Sequence, residues 1–390
     1  MSSLELPSEL WLKVFCDLPF ESLLNIHAVS WLFSDLSTNF IFEDVHFYPR
    51  ESSIARTKRA IQREFHRATF WSSDKVAPHV RKCTVELTWI SSGSMVAEFA
   101  PQLLSAYFEA VSRFKNLEKL CCSLHNPTNI DLPPLRVEKS LSRLRVLDIR
   151  GVRLAPQTSP AIRLKLEDLS YADIHSSQSI GSDFLLSFDP TYLRRLCLEL
   201  QSMSFLHDLL PDKHAMASFH YLHVLELRLQ VTNIVDLHAC LSSFPGIHDL
   251  TLQVWRIDAG FVPSTPLAPE LRTYKGPMDL IPALDLGSSV LRTLTLTDGD
   301  SRVLLRKLRE IRLGNSVVTA ITSLTMLVRQ WYIPETDSNL RDTLSFFPAL
   351  QTLSLTMYSH HFIDQRPIHA TFPQELCGRL AVILPVVHED

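Results

Sequence analysis

The feature that most constrains the fold of this chain is a six-residue phrase that returns throughout most of its length. The phrase consists of an apolar residue, two spacers, a second apolar residue, one spacer and a third apolar residue. Its starts are Val80, Leu117, Leu144, Leu166, Leu193, Leu222, Ile247, Leu271, Leu291, Ile321 and Leu350. Successive starts lie 20 to 37 residues apart. Such spacing indicates a repeat protein in which each repeat forms one structural unit.

The geometry of a β-strand explains why the phrase has this form. Alternate side chains of a strand point to opposite faces, so the fourth and sixth positions of each phrase share one face. Each phrase therefore predicts a strand with Leu-type side chains inward and polar spacers outward. The intervening segments look helical and end in a short turn, as in SSFPGIHDL and SFFPALQTL. The pattern predicts an α/β fold with parallel strands inside and helices outside.

This organisation resembles the leucine-rich repeat, whose strands stack into a long parallel sheet lining a curved solenoid. The resemblance covers about residues 75 to 360. Leucine-rich repeats commonly place Asn or Cys three residues after the third apolar position, whereas several repeats here carry other residues, among them Gln201, Gln230 and Trp255. We therefore expect an irregular solenoid, with residues 80–390 forming the repeats and a C-terminal cap.

The N-terminal segment Leu4 to Phe42 is rich in apolar residues, with 22 in 39 positions. Pro7 suits the first turn of one helix, and Pro19 ends that helix. Leu23 and Leu24 lie on a second helix, and Ser30 is placed to cap a third. Three short helices cannot bury this much apolar surface among themselves, because a unit of about 40 residues hides little surface alone. Something else must cover the remainder.

The order of these residues resembles the F-box, from Leu6-Pro7-x-Glu9-Leu10 through Val14-Phe15, Leu18-Pro19 and Leu23-Leu24 to Val29-Ser30. The resemblance implies docking on a Skp-type adaptor and, through it, on the cullin of a ubiquitin ligase. The family's contact positions fall on Leu6, Pro7, Leu10, Val14, Phe15, Leu18, Leu23, Leu24, Val29 and Ser30. One departure concerns the third helix, where Trp31 follows Ser30 at once and Phe33 takes the later aromatic place.

The resemblance divides the chain into three parts. Residues 1–48 would be the F-box-like helical domain, and residues 49–79 a linking helix that caps the solenoid of residues 80–390. The linking helix is predicted over residues 54–68, with Ile61 and Ala68 on its buried face. An alternative interpretation makes the N-terminal segment an ordinary helical cap whose apolar stripes turn inward.

The implied function is that of a substrate-recognition adaptor in a Skp-cullin-F-box ubiquitin ligase, with a protein target bound on the solenoid. The outward spacers of successive strands are the surface to which every repeat contributes, so we expect the target there. The candidate residues are Asp148, Arg150, Arg195, Glu199, Glu226, Arg228 and Gln253. Charges of both signs could equally pair with each other across neighbouring strands. A leucine-rich-repeat scaffold without a ligase is the alternative function.

Composition argues against several other classes of protein. The net charge of −4 gives no reason to expect nucleic acid or an anionic membrane as a partner. Seven cysteines without a C-x-x-C pair, and a start without a secretory signal, favour the cytosol or nucleus. The sequence contains no established catalytic motif, and the spacing of His360, His361, Asp364 and His369 matches no zinc site. We predict no enzyme activity, cofactor or metal.

Overall fold

The structure of the chain is a computed structural model. The described residues are 7–49, 58–88, 95–125, 141–152, 163–172, 188–202, 219–241, 244–258, 270–284, 290–298, 301–312, 320–328, 342–357 and 381–383. The chain forms two compact units, Met1–Leu193 and Arg194–Asp390. The predicted boundaries at residues 48 and 79 both fall inside the first unit, and they stay predictions.

The first unit begins with three helices, α1 (Ser8–Cys16), α2 (Phe20–His27) and α3 (Trp31–Ile41). Pro7 and Pro19 stand immediately before α1 and α2, where a residue without an N–H group leaves no helical hydrogen bond unmade. Ser30 caps α3 as predicted, because its hydroxyl accepts a hydrogen bond from the backbone N–H of Phe33 at 3.2 Å.

The remainder of the first unit alternates strands with helices. Its strands are β1 (Asp44–Phe47), β2 (Lys82–Thr88), β3 (Lys119–His125), β4 (Val146–Arg150) and β5 (Asp168–Ala172). Its helices are α4 (Lys58–Trp71), a 3-10 turn (Ala77–His79) and α5 (Met95–Ser112). Each strand from β1 to β4 pairs in parallel with the next strand along the chain.

The second unit has the same alternation of parallel strands and helical connections. Its strands are β6 (Arg195–Ser202), β7 (Val224–Asn233), β8 (Asp249–Asp258), β9 (Thr273–Gly276), β10 (Thr293–Leu296), β11 (Ser323–Val328), β12 (Thr352–Met357) and β13 (Ala381–Ile383). Helix α6 (Ile234–Leu241), a 3-10 segment (Met278–Ala283) and α7 (Ser301–Arg312) connect some of them. The strands again pair in parallel and in sequence order.

The repeated phrase predicts these strands closely. Every strand from β2 to β12 starts at the third position of a phrase, and the fourth positions of neighbouring phrases lie opposite each other. Leu196, for example, pairs with Leu225, and Leu225 with Leu250. These three leucines are at most 1% exposed. The prediction of an α/β, solenoid-like fold behind three N-terminal helices is confirmed.

Two of the longest strands, β7 and β8, continue past the position at which a typical leucine-rich repeat turns. Gln230 and Trp255 occupy the position at which Asn or Cys commonly bonds the turning backbone, and β7 and β8 continue through it to Asn233 and Asp258. Without a short polar side chain to satisfy the backbone of a turn, the strand ladder satisfies it instead. The strands of the second unit are therefore uneven in length, with ten residues in β7 and β8 but four in β9 and β10.

The helices cover the face of the sheet that carries the buried side chains. In the first unit, the ring of Phe47 in β1 stacks on Tyr107 of α5 with centroids 4.5 Å apart. The Tyr107 hydroxyl donates a hydrogen bond to Glu64 of α4 at 3.0 Å, and burial raises the pKa of this phenol. Ile61 and Ala68 are buried as predicted. Helix α4 is described from Lys58 and ends at Trp71, three residues beyond the predicted end.

Candidate docking surfaces

The three N-terminal helices enclose a small core. Phe15, Leu23 and Ile41 are its buried residues. Phe33 packs edge-on against both Phe15 and Trp11, with ring centroids 5.7 and 4.8 Å away. Phe33 takes the later aromatic place of the third helix. Its ring therefore packs against the core of the three helices.

The structure buries two of the residues that the resemblance made adaptor contacts. Phe15 is 1% exposed and Leu23 is 5% exposed, because each is the centre of its helix's inward face. A partner could touch neither side chain without opening the core. Both side chains belong to the core of the three helices, and Leu18 is also partly buried against this core.

Several large apolar side chains on the same helices, and on the turn between α2 and α3, are exposed to solvent. Val29 is 68% exposed and Trp31 is 88% exposed. We call the exposed set the apolar patch; its members are Leu10, Val14, Phe20, Leu24, Val29, Trp31 and Leu32. Leu10, Val14, Leu24 and Val29 belong to the predicted contact set, and Pro7 and Ser30 are exposed as well. Leu6 lies outside the described residues. Because seven exposed apolar side chains fall within residues 10–32, this segment is a candidate interaction surface.

A polar link joins α2 to α3 next to this patch, and no sequence motif predicts it. His27 contacts the hydroxyl of Ser37 through Nδ1 at 3.0 Å and the hydroxyl of Ser34 through Nε2 at 3.3 Å. Ser37 is completely buried. Both nitrogens of the ring are thereby used, which fixes the end of α2 against α3 beside Val29.

On the outward face of the second unit, the structure brings four of the predicted target-binding residues together. Arg228 donates to Glu226 at 2.7 Å and lies 3.4 Å from Glu199, and Arg195 lies 3.6 Å from Glu226. The hydrogen bond with Glu226 raises the pKa of Arg228. These four residues, Arg195, Glu199, Glu226 and Arg228, form what we call the charged cluster. Gln253 stands opposite Arg228 in the register of β7 and β8.

The other two candidates form a separate pair. Arg150 Nε donates to Asp148 Oδ1 at 3.3 Å on β4 of the first unit. All six charged candidates thus have a partner of opposite sign. Arg195–Glu226 and Arg228–Glu199 join neighbouring strands, whereas Arg150–Asp148 and Arg228–Glu226 lie within one strand. Pairing of this kind contributes at most about 1 kcal/mol per exposed pair, so it leaves a role in recognition open to experiment.

Comparison with known proteins identifies the N-terminal helices. A family model for the F-box domain matches residues 3–44. The three helices form an F-box. No curated protein matches the chain significantly.

The F-box match agrees with the predicted segment to within a few residues, and it ends before the repeats begin. An F-box implies a Skp-type adaptor as the partner of this domain and supports a role in substrate recognition for a ligase of that type. F-box proteins are generally adaptors without catalytic activity. The assignment of the repeats to the leucine-rich-repeat family stays a prediction.

The described part of the chain shows neither a membrane-spanning helix nor a metal-binding cluster. No helix there is long and apolar enough to cross a membrane. The described residues also contain no group of three or more His, Cys, Asp or Glu side chains arranged to hold a metal ion. The cluster His360, His361, Asp364 and His369 lies outside them.

Proposed function

We propose that this protein is the substrate-recognition subunit of a Skp-cullin-F-box ubiquitin ligase. The F-box binds a Skp-type adaptor, which connects the chain to a cullin. The repeat units hold a protein target, and partner proteins attach ubiquitin to it. The contribution of this chain to the reaction is proximity, because a target held near a charged conjugating enzyme reacts at a raised effective concentration.

The observation that carries this proposal is the apolar patch on the F-box. Its side chains belong to short helices whose core is already filled by Phe15, Leu23 and Ile41. Covering the patch with a partner removes apolar surface from water, at roughly 25 cal/mol for each Å². Within the predicted contact set, we assign direct contact to Leu6, Pro7, Leu10, Val14, Leu24 and Val29. We assign support of the fold to Phe15, Leu18 and Leu23, and to Ser30 as the cap of α3.

A matched pair of substitutions tests the adaptor surface. Val14 in α1 and Val235 in α6 are similarly exposed, at 48% and 53%. Val14→Asp would bury a carboxylate in an apolar interface, which costs several kcal/mol, so we expect at least about a hundredfold loss of affinity for a Skp-type adaptor. Val235→Asp makes the same chemical change outside the F-box and should bind normally. Calorimetry on the purified full-length variants measures both affinities.

The buried neighbour of Val14 would be a poor choice for this test. Phe15→Asp would place a carboxylate in the core of the F-box and unfold it, so lost binding would not identify a contact. Wild-type affinity in Val14→Asp would contradict the proposed surface. A wild-type chain that binds no Skp-type adaptor at all would favour the alternative, an interaction scaffold without a ligase.

A further inference from the structure

A second candidate surface lies where the strands of the second unit begin. In each repeat, the backbone carbonyl of the second phrase position accepts two N–H groups from the next repeat. The Arg194 carbonyl accepts from His223 and Val224 at 3.0 and 3.1 Å, and the His223 carbonyl accepts from His248 and Asp249 at 2.9 Å each. This arrangement fixes the second positions of neighbouring repeats one strand spacing apart, about 4.8 Å.

In the second unit, five consecutive second positions carry basic or imidazole side chains. We call them the basic ladder: Arg194, His223, His248, Arg272 and Arg292. The rings of His223 and His248 stack in parallel with centroids 4.9 Å apart, so the side chains follow the spacing of the backbone. All members of the ladder except the half-buried His248 are exposed.

In the first unit, the residues at the second phrase position differ from those of the basic ladder. There the residues alternate in sign, and they pair: Arg81 lies 3.5 Å from Glu118, and Arg145 lies 3.6 Å from Glu167. In the basic ladder, His248 has an acidic partner, Glu270, at 3.7 Å. Within the described residues, neither Arg194 nor Arg272 has an acidic partner, and Arg292 donates instead to the Ala320 carbonyl at 3.3 Å.

We propose that the basic ladder is a docking site for an acidic, extended peptide segment of a partner protein. Its five rungs span about 19 Å, the length of about six residues of extended chain. Three guanidinium groups on one line favour carboxylates, which they can bind through paired hydrogen bonds. Calling that segment part of a ligase target rests on the proposed function.

The small size of the ladder favours a short peptide over nucleic acid. Nucleic-acid affinity depends on many phosphate contacts, and the net charge of −4 adds no wider attraction for a long polyanion. A ladder of five residues, bordered by Asp249 and Glu270, offers few such contacts. A short acidic segment needs no more.

The experiment measures binding of a fluorescein-labelled hexaglutamate peptide to the purified full-length chain at low ionic strength. One variant combines Arg194→Gln with Arg272→Gln. The matched control combines Arg81→Gln with Arg145→Gln, at the same ladder position but in residues already paired with Glu. A hexaglutamine peptide and a single-stranded oligonucleotide serve as further probes. Neither adaptor nor ligase is needed, so failure here leaves the F-box proposal standing.

We expect hexaglutamate, and not hexaglutamine, to bind the wild type and the control variant. Its affinity for the Arg194/Arg272 variant should be lower by about tenfold, and binding to all three should weaken as salt is added. Absence of hexaglutamate binding would overturn the proposal, and so would equal weakening in both variants. An oligonucleotide that binds more tightly than the peptide, and through the same two arginines, would assign the ladder to nucleic acid instead.

Discussion

Gly276 shows how a single residue can depart from the repeat pattern for a packing reason. In the phrase LRTYKG, glycine stands at the sixth position, where most other repeats place an apolar side chain. A Cβ atom there would lie 2.6 Å from the Tyr274 hydroxyl oxygen. That hydroxyl donates to the Pro277 carbonyl at 2.9 Å, and Tyr274 is fully buried. The tyrosine ring fills the space that the missing side chain would use.

Restoring the repeat pattern at this position should therefore destabilise the protein. Gly276→Leu forces a second large side chain into occupied space, which costs about 1–3 kcal/mol. For a unit of this size, the midpoint of thermal unfolding should fall by about 2–4 °C for each kcal/mol.

A double variant provides the control for this prediction. Adding Tyr274→Leu to Gly276→Leu gives the regular phrase LRTLKL and removes the clashing ring, so part of the lost stability should return. Differential scanning calorimetry measures both changes. A single variant as stable as the wild type, or a double variant no more stable than the single one, would contradict this explanation. The Tyr274 ring would then not be the reason for a glycine at position 276.

The elements themselves were largely predictable from the sequence, because the phrase states both the period of a strand and its buried face. The phrase anticipated β2 to β12, and the order of proline, leucine and serine residues anticipated α1 to α3. Strand β13 was not foreseen, since Ala381–Ile383 belongs to no phrase.

What the sequence could not supply was the environment of individual side chains. Phe15 and Val14 are adjacent apolar residues of one helix, and only the packing of Trp11 and Phe33 around Phe15 shows which of the two is buried. In the same way, the sequence does not show whether the Arg228 side chain pairs with an acidic residue or faces solvent alone. Its bonds to Glu226 and Glu199 depend on the register of β6 and β7.

The charged cluster allows recognition to be separated from stability. Reversing all four charges, with Arg195→Glu, Glu199→Arg, Glu226→Arg and Arg228→Glu, keeps every ion pair and inverts the sign of each position. Because these pairs are partly exposed, we expect the midpoint of thermal unfolding to stay within about 2 °C of the wild type. Proteins captured by the wild type under proteasome inhibition should be lost, while a Skp-type adaptor is still retained.

The outcome of this reversal is decided by mass spectrometry of the captured proteins. Capture of the same set by the wild type and the fourfold variant would show that the charges only pair with each other. The target would then bind elsewhere, and the F-box assignment would be unaffected.

The chain as a whole presents two different kinds of surface. The F-box presents an apolar patch for an adaptor, while the repeat units present polar and charged side chains along parallel strands. These two kinds of surface suit two kinds of partner: an apolar patch suits a stable subunit, and charged surfaces add specificity to a more transient contact. The F-box and the repeat units therefore have separate binding roles.

Hydrogen–deuterium exchange of the full-length chain, with and without a Skp-type adaptor, tests this separation of binding roles. Binding should slow exchange at amides of α1, α2 and α3, because covering the patch suppresses the local opening of these short helices. Exchange in β6, β7 and β8 should not change. Unchanged exchange throughout the F-box, or protection confined to the strands, would contradict the account.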